Sequence, residues 1–268
     1  MDLKNRTACF APVALLFASP ALAQDADELA KQLSNPVASL ISVPLQFNYD
    51  DGIGPDDDGS KTFVNVQPVV PVSISEDWNL ISRTIVPITY QENVLPGSGS
   101  QFGLGDTLQS VFFSPKAPTA SGWIWGVGPA LYLPTATDDL LGAEKWGAGP
   151  TAVVLKQTEG GWTYGALVNH IWSFAGDDDR ADISNTFLQP FVAKGLGKGR
   201  TLSANLESTY DWKASQWTVP INIGYSKVSK IGSQLVSYQG GIRYYAEAPD
   251  NGAEWGLRFT FTLLYPRQ

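Results

Sequence analysis

The chain has 268 residues, of which 43% are hydrophobic and 16% charged, and its formal net charge is −8 at pH 7. An acidic balance of this size argues against nucleic acid as a partner. The single cysteine, Cys9, lies in a predicted signal peptide, so disulfide scaffolds, cysteine nucleophiles and thiolate metal sites are excluded for the mature chain.

The first 23 residues have the pattern of a secretory signal peptide. Lys4 and Arg6 precede an apolar run over residues 8–17, and a small-x-small site ends at Ala23. The apolar run is too short to be a membrane-spanning helix. We expect cleavage after Ala23, so that residues 1–23 are removed from the mature chain.

Residues 24–40 predict a short helix and a connector. Leu29, Leu33 and Val37 recur at helical spacing, and Pro36 limits the helix to the residues before it, about 27–33. No later run approaches the roughly 18 apolar residues that a transmembrane helix needs. Three classes remain: a soluble secreted β protein, a periplasmic protein, and an outer-membrane barrel, whose membrane signal falls on alternate residues.

Residues 41–268 predict strands. In 255–265 every second residue is large and apolar, and the intervening positions include Arg258 and Thr260. Eleven residues of alternation exceed the usual globular strand and fit a tilted bilayer-crossing strand. About twelve such segments occur, an even number that returns both chain ends to one side of a membrane. The predicted fold is therefore all-β, a transmembrane antiparallel up-and-down β-barrel with a short N-terminal helix. Its strands lie near 40–49, 62–74, 78–90, 105–114, 122–134, 146–157, 161–174, 183–194, 202–212, 217–225, 236–247 and 255–265.

The distribution of charged and aromatic residues along the chain indicates that the two ends of the barrel differ. Most acidic residues, Asp50 and Asp51 among them, fall in alternate connections, and the turns between those connections are rich in lysine and arginine. Aromatic residues form two bands at the strand ends, as two bilayer interfaces select. The predicted girdle consists of Trp78, Trp123, Trp162 and Tyr265 at one end and of Trp146, Trp172, Trp212, Trp217 and Trp255 at the other.

Several long segments resemble a bacterial family, the MetA-pathway of phenol degradation family. They are "NPVASLISVPLQFNYDDGIGP", "EDWNLISRTIVPI", "WGVGPALYLPTATDDLLGAEKWGAGPTAVVLKQ", "GALVNHIWSFAGDDDRADISNTFLQPF", "STYDWKASQWTVP" and "RYYAEAPDNGAEWGLRF". The resemblance covers nearly all of the mature chain. It implies a transporter-like barrel in the outer membrane of a Gram-negative bacterium and suggests passage of small, aromatic or hydrophobic solutes. It supplies no catalytic residues.

Six charged residues fall on the face opposite the lipid-facing residues, and we predict that they line the lumen: Arg83, Glu207, Asp211, Arg243, Glu247 and Arg258. In a wide barrel such charges form a constriction that selects solutes. In a narrow barrel they pair and close the interior as a polar core. The sequence leaves both arrangements open, and the N-terminal helix adds a third way to obstruct the lumen.

His170, the only histidine, is the one candidate for catalysis. A lipid-cleaving barrel would need it beside a serine nucleophile and an orienting residue. On the predicted register it points toward lipid near the interface, and we predict a packing role. No catalytic, cofactor-binding or metal-binding residues are predicted.

The acidic connections at 56–59, 137–139 and 176–182 are expected to be solvated. Binding of Ca²⁺, or bridging by divalent ions to lipopolysaccharide phosphates, stays open for them.

The main hypothesis is therefore an outer-membrane barrel that passes small solutes. One alternative is a plugged structural barrel that organises lipopolysaccharide, and another is a lipid-modifying enzyme. The expected partners are outer-membrane lipid and lipopolysaccharide, a small solute, and the assembly machinery that reads a C-terminal aromatic such as Tyr265.

Overall fold

The computed structural model describes residues 20–266, and their side chains from residue 26. One helix precedes fifteen strand segments. Their bounds are α1 Pro20–Leu33, β1 Leu40–Ile53, β2 Gly59–Val66, β3 Val69–Ser73, β4 Trp78–Glu92, β5 Ser100–Leu104, β6 Thr107–Pro115, β7 Trp123–Leu133, β8 Lys145–Gln157, β9 Trp162–Gly176, β10 Ser184–Gly197, β11 Arg200–Leu206, β12 Ser208–Asp211, β13 Gln216–Ile231, β14 Gln234–Glu247 and β15 Trp255–Pro266. The predicted signal peptide lies outside the described residues up to residue 19, so its cleavage stays a prediction.

The fifteen segments form twelve antiparallel strands of one closed barrel. Three strands are interrupted: β2 and β3 flank residues 67–68, β5 and β6 flank residues 105–106, and β11 and β12 flank Glu207. Pro68 has no N–H to donate to a ladder, which accounts for the first break. The first and last strands pair from Leu40↔Pro266 to Asp51↔Trp255 and close the barrel. The predicted transmembrane up-and-down barrel is confirmed.

Alternation sets the two faces of the wall. On β15, Leu257 and Phe259 are exposed on the outer face, whereas Arg258 and Thr260 are buried inside. The outer-face rings of Phe47 and Phe259 stand side by side across the closing pair, 6.4 Å apart. Closure matters because backbone groups facing hydrocarbon must be paired within the sheet. In the described part of the chain, the helix is too short and too polar to cross a membrane.

The two ends of the barrel differ. Short turns and the first and last described residues share one end, here called the terminal end, and the longer connections share the other, the loop end. At the loop end, the connection 134–144 folds back onto the barrel. The Asp106 carboxylate accepts hydrogen bonds from the backbone N–H groups of Ala136 (3.1 Å) and Ala143 (2.6 Å). This connection therefore lies over part of the mouth.

The helix lies inside the terminal end. Leu29 and Ala30 pack with Leu40 and with the inward side chains Val228 and Leu264 in one buried cluster. The helix ends at Leu33, before Pro36 as predicted, and it begins upstream of the predicted start at Asp27. A helix too short to be stable alone gains its stability from such packing.

Two polar contacts tie the helix to the rim. The Asp27 carboxylate accepts a hydrogen bond from the Gly199 N–H at 2.6 Å, and the Lys31 carbonyl accepts one from Gln157 Nε2 at 2.8 Å. Both partners lie in or beside short turns of the terminal end. These two hydrogen bonds fix the position of the helix inside the terminal end of the barrel.

The connector after the helix crosses to the opposite wall. Val37 packs there in a second buried cluster with Ile81, Phe112, Val153, Leu155 and Leu167. A Cβ atom on Gly126 would lie 3.2 Å from Val37 Cγ1 and 3.3 Å from the Phe112 Cβ. Glycine at this inward position thus leaves room for the connector.

Candidate functional site

The lumen has two chemically different walls. Inward side chains of the strands around the closure are mostly amides, and those on the opposite side are mostly apolar. The amide wall includes Gln46, Asn48, Asn65, Asn205, Asn222 and Gln239, and the apolar wall includes Ile81, Ile85, Leu108, Phe112, Leu155, Leu167 and Phe187. A solute in the lumen would meet hydrogen-bonding groups on one side and hydrocarbon on the other.

Three cavities follow one another along this lumen. A mid-lumen cavity of about 460 Å³ reaches Ala143 and Ile183 at the loop end. A second of about 300 Å³ shares lining residues with it, including Gln67 and Arg83, and borders the helix. A third of about 620 Å³ shares Ala30 with the second and reaches the terminal rim. The three cavities thus adjoin one another along the lumen, and the second and third border the helix.

A buried ion cluster holds the amide wall. The Arg258 guanidinium donates two hydrogen bonds of 2.8 Å to the two Glu207 carboxylate oxygens. Arg243 Nη2 donates to Glu207 Oε2 at 3.2 Å, and Arg243 Nη1 contacts both Asp50 oxygens at 3.1 Å. Asn48 Oδ1 accepts from both arginines, at 2.8 and 3.2 Å. Two guanidiniums thus meet two carboxylates, and we call Asp50, Glu207, Arg243 and Arg258 the ion cluster.

Arg83 makes no direct contact with the ion cluster, although its charge interacts with that of Glu207 at longer range. It lines both the mid-lumen and the second cavity. Its Nη2 donates to Gln67 Oε1 at 3.2 Å. In the described part of the chain its guanidinium makes no other hydrogen bond and has no carboxylate within 4 Å. Arg83 is thus a lumen cation without a counter-charge in contact.

The other two predicted lumen acids lie at the loop end. The Asp211 carboxylate accepts hydrogen bonds from the backbone N–H groups of Lys213 and Ala214, at 2.8 and 3.1 Å, and so closes a turn. Glu247 is exposed beyond a bulge at Val219/Pro220. Neither belongs to the ion cluster.

The prediction that Asp50 lies in a connection between strands is wrong. Asp50 is 4% exposed on the inner face of β1, where it pairs with Arg243 and accepts a hydrogen bond from the Tyr245 hydroxyl at 2.9 Å. The sequence does contain a signal for this position, because Asn48 and Asp50 alternate with the outward Phe47 and Tyr49 and so continue the inner face of the strand. The pairing itself joins residues 193 positions apart and has no local signal.

Each predicted girdle residue is exposed at a strand end, four at the terminal end and five at the loop end. At the loop end, Trp212 Nε1 donates to Thr186 Oγ1 at 2.8 Å. His170 Nδ1 lies 2.7 Å from that same hydroxyl, and its ring centroid lies 3.9 Å from that of Trp172. His170 Nε2 has no hydrogen-bond partner among the described residues, so no serine hydroxyl is hydrogen-bonded to it there. His170 thus belongs to an aromatic cluster on the outer face.

The acidic connections at the loop end contain one notable ion pair. The buried Lys145 ammonium lies 3.3 Å from an Asp182 carboxylate oxygen, and Ser173 Oγ donates to the same oxygen at 3.2 Å. The hydrogen bond from Lys145, followed by that from Ser173, lowers the pKa of Asp182. Among the residues the structure describes, no group of three or more His, Cys, Asp or Glu side chains could hold a metal ion.

No family model matches the chain, and neither does any curated protein. Solved structures are similar to it in fold. An outer membrane channel from Pseudomonas putida F1 superposes with a TM-score of 0.66 at 14% identity, over 85% of this chain and 96% of that one. Outer membrane phospholipase A from Escherichia coli gives 0.50 at 12% identity, over 84% and 90%, and an active-site mutant of that enzyme gives 0.52, over 88% and 98%. At such identities the likeness shows the outer-membrane barrel fold alone, which a channel and an enzyme share.

Proposed function

We propose that this protein is an outer-membrane channel through which small amphipathic solutes, aromatic ones included, pass down their gradient. The observation that carries the proposal is the series of cavities between an amide wall and an apolar wall. A solute with a ring and a polar group can satisfy both walls at once, because its polar atoms meet amides while its ring displaces water from hydrocarbon. The resemblance to the phenol-degradation family points to the same solute class.

In this proposal the loop end faces the outside and the terminal end faces the periplasm. The chain reaches the outer membrane after cleavage near Ala23, and the assembly machinery inserts it. The acidic connections then meet lipopolysaccharide, whose phosphates they contact through divalent ions. No nucleotide, cofactor or resident metal takes part, and the protein is not an enzyme.

A second function has one observation in its favour. The helix and Val37 occupy the terminal end, as they would in a plugged structural barrel that organises lipopolysaccharide. The cavities beside the helix favour passage over plugging.

Reconstitution of the full chain tests the proposal. We expect steady ion conductance in planar bilayers, and swelling of proteoliposomes that is faster in phenylalanine than in arabinose, a polar solute of similar size. Absence of both conductance and swelling would refute passage and support the plugged barrel. Equal swelling in the two solutes would refute the preference for amphipathic molecules and leave passage intact.

A lipid-modifying enzyme is tested separately with His170→Ala. Phospholipid hydrolysis by the wild type that disappears in this variant would contradict the proposed non-catalytic role.

A further inference from the structure

The charges in the lumen do not balance. The ion cluster contains two guanidiniums and two carboxylates in direct contact, so its members neutralise one another. Arg83 adds a third guanidinium whose contact partner is the neutral amide of Gln67. The middle of the lumen therefore carries positive charge, although the chain as a whole is acidic.

The position of Arg83 makes that charge accessible. Its side chain is half-buried, and it lines the place where the mid-lumen cavity meets the second cavity. A guanidinium offers five N–H donors in a planar fork that fits a carboxylate with two parallel hydrogen bonds. One of the five is used by Gln67, so the fork can take an anion from the cavity.

An apolar surface lies next to this cation. Ile85 follows Arg83 by two residues on β4 and so projects from the same face. Ile85 pairs with Leu108 on β6, and Leu108 pairs with Tyr132 on β7. All three line the mid-lumen cavity on the loop side of Arg83, and we call Ile85, Leu108 and Tyr132 the apolar row.

We infer that Arg83 and the apolar row form a binding subsite for small amphipathic monoanions, above all aromatic carboxylates. The carboxylate contacts the Arg83 guanidinium, and the ring lies along the apolar row. Gln67 keeps Arg83 in place, because it accepts from Arg83 and donates to Gln46 Oε1 at 3.1 Å. This inference rests on the proposed passage of small solutes and specifies which of them the lumen selects.

Binding is measured on the full-length protein in detergent micelles by calorimetric titration, with benzoate, its uncharged analogue benzamide, and acetate as probes. We expect benzoate to bind at least tenfold more tightly than either benzamide or acetate. The benzamide comparison tests the charge, and the acetate comparison tests the apolar row. Wild-type protein that binds benzoate no better than benzamide would overturn the inference.

Two substitutions at one position separate charge from packing. Arg83→Gln keeps a donor for Gln67 but removes the charge, so we expect at least a tenfold loss of benzoate affinity with benzamide unchanged. Arg83→Lys keeps the charge and should stay within several-fold of wild type. Lys227→Gln removes an equal charge from the exposed outer face and should bind as wild type does. Heat-modifiable migration on a denaturing gel verifies that each variant is folded, and a folded Arg83→Gln variant with unchanged benzoate affinity would refute the subsite.

The apolar row is tested with Leu108→Ser. This variant should lose benzoate affinity while acetate binding is unchanged, and parallel losses for both anions would contradict the placement of the ring.

Conductance distinguishes failure of this inference from failure of the proposed function. In a KCl gradient the wild type should be anion-selective, with selectivity reduced in Arg83→Gln at similar conductance. A conducting wild type whose ion selectivity and benzoate binding do not depend on Arg83 would refute the subsite alone. A wild type that binds benzoate but passes neither ions nor solutes would refute the channel and leave the subsite standing.

Discussion

Replacing Glu207 by glutamine tests whether the ion cluster stabilises the barrel. Glu207 accepts three charge-assisted hydrogen bonds, two from Arg258 at 2.8 Å and one from Arg243 at 3.2 Å. Glutamine has nearly the same shape, but it carries no charge and turns an NH₂ group toward one of the two guanidiniums. The variant thus removes the charge that joins the two arginines with little change in volume.

The expected cost follows from burial. Removing one partner of a buried ion pair costs about 3–5 kcal/mol, since the other charge stays buried without compensation. The Glu207 side chain is 21% exposed, toward the lumen, and Asp50 remains beside Arg243. Both facts reduce the cost, because lumen water and the second carboxylate partly compensate the arginines. We expect a loss of about 2–3 kcal/mol in the free energy of unfolding.

Equilibrium urea unfolding in phospholipid vesicles, followed by tryptophan fluorescence, measures the change. Glu247→Gln is the matched control, because it removes an equal charge from an exposed residue at the loop end and should change stability by less than about 0.5 kcal/mol. Adding Arg258→Gln to Glu207→Gln should cost less than the sum of the single changes, since the double variant buries no unpaired Arg258 charge. Equal midpoints for Glu207→Gln and Glu247→Gln would refute a stabilising role of the ion cluster.

Three further predictions concern other parts of the structure. Gly126→Leu should lower the free energy of unfolding by about 1–3 kcal/mol through overpacking against the connector, with partial relief from Val37→Ala in the same unfolding assay. Trp212→Phe keeps the aromatic surface but loses an indole hydrogen bond, so unfolding in vesicles should show a loss of about 0.5–1.5 kcal/mol. Because the hydrogen bond from Lys145 lowers the pKa of folded Asp182, the stability from this pair is present above the ordinary aspartate pKa and is lost as pH falls through the lowered value. Unfolding midpoints of wild type and Asp182→Asn should therefore differ near neutral pH and converge in strong acid, and a constant difference would contradict this assignment.

The strand count and the two faces of the wall could be predicted from the sequence, because both follow from a period of two that the bilayer enforces residue by residue. The segment 255–265 shows this most clearly, since its outward Phe259 and inward Arg258 needed no partner to be assigned. The three interrupted strands did not disturb the count. At Glu207 the pairing of the flanking segments with β10 keeps the same register on both sides, so the inward parity continues through the break.

Which charges meet inside the lumen could not be predicted. The alternation of side chains along the strands assigned Glu207, Arg243 and Arg258 to the inner face. It assigned Arg83 to the same face and gave no sign that Arg83 would lack a contacting carboxylate. The difference depends on which strands become neighbours at closure and on the height of each residue along the barrel axis. Asp50 was missed for a related reason, because it lies at the end of an apolar run where a strand and a loop look alike. The position of Val37 between two walls likewise depends on long-range packing.

We expect the ion cluster to stabilise the barrel and Arg83 to select solutes. Asp50 lies on the first strand and Arg258 on the last, and Arg243 and Glu207 extend the ion cluster across the neighbouring strands. The ion cluster therefore spans the seam where the two ends of the sheet meet, and its charges are used in holding that seam. A guanidinium that is already paired with a carboxylate binds a solute anion weakly, because the anion would have to displace that carboxylate. Arg83 lies on β4, outside the seam, and most of its N–H donors are unused. We therefore expect substitutions in the ion cluster to change stability more than ion selectivity. Substitutions at Arg83 should change selectivity more than stability.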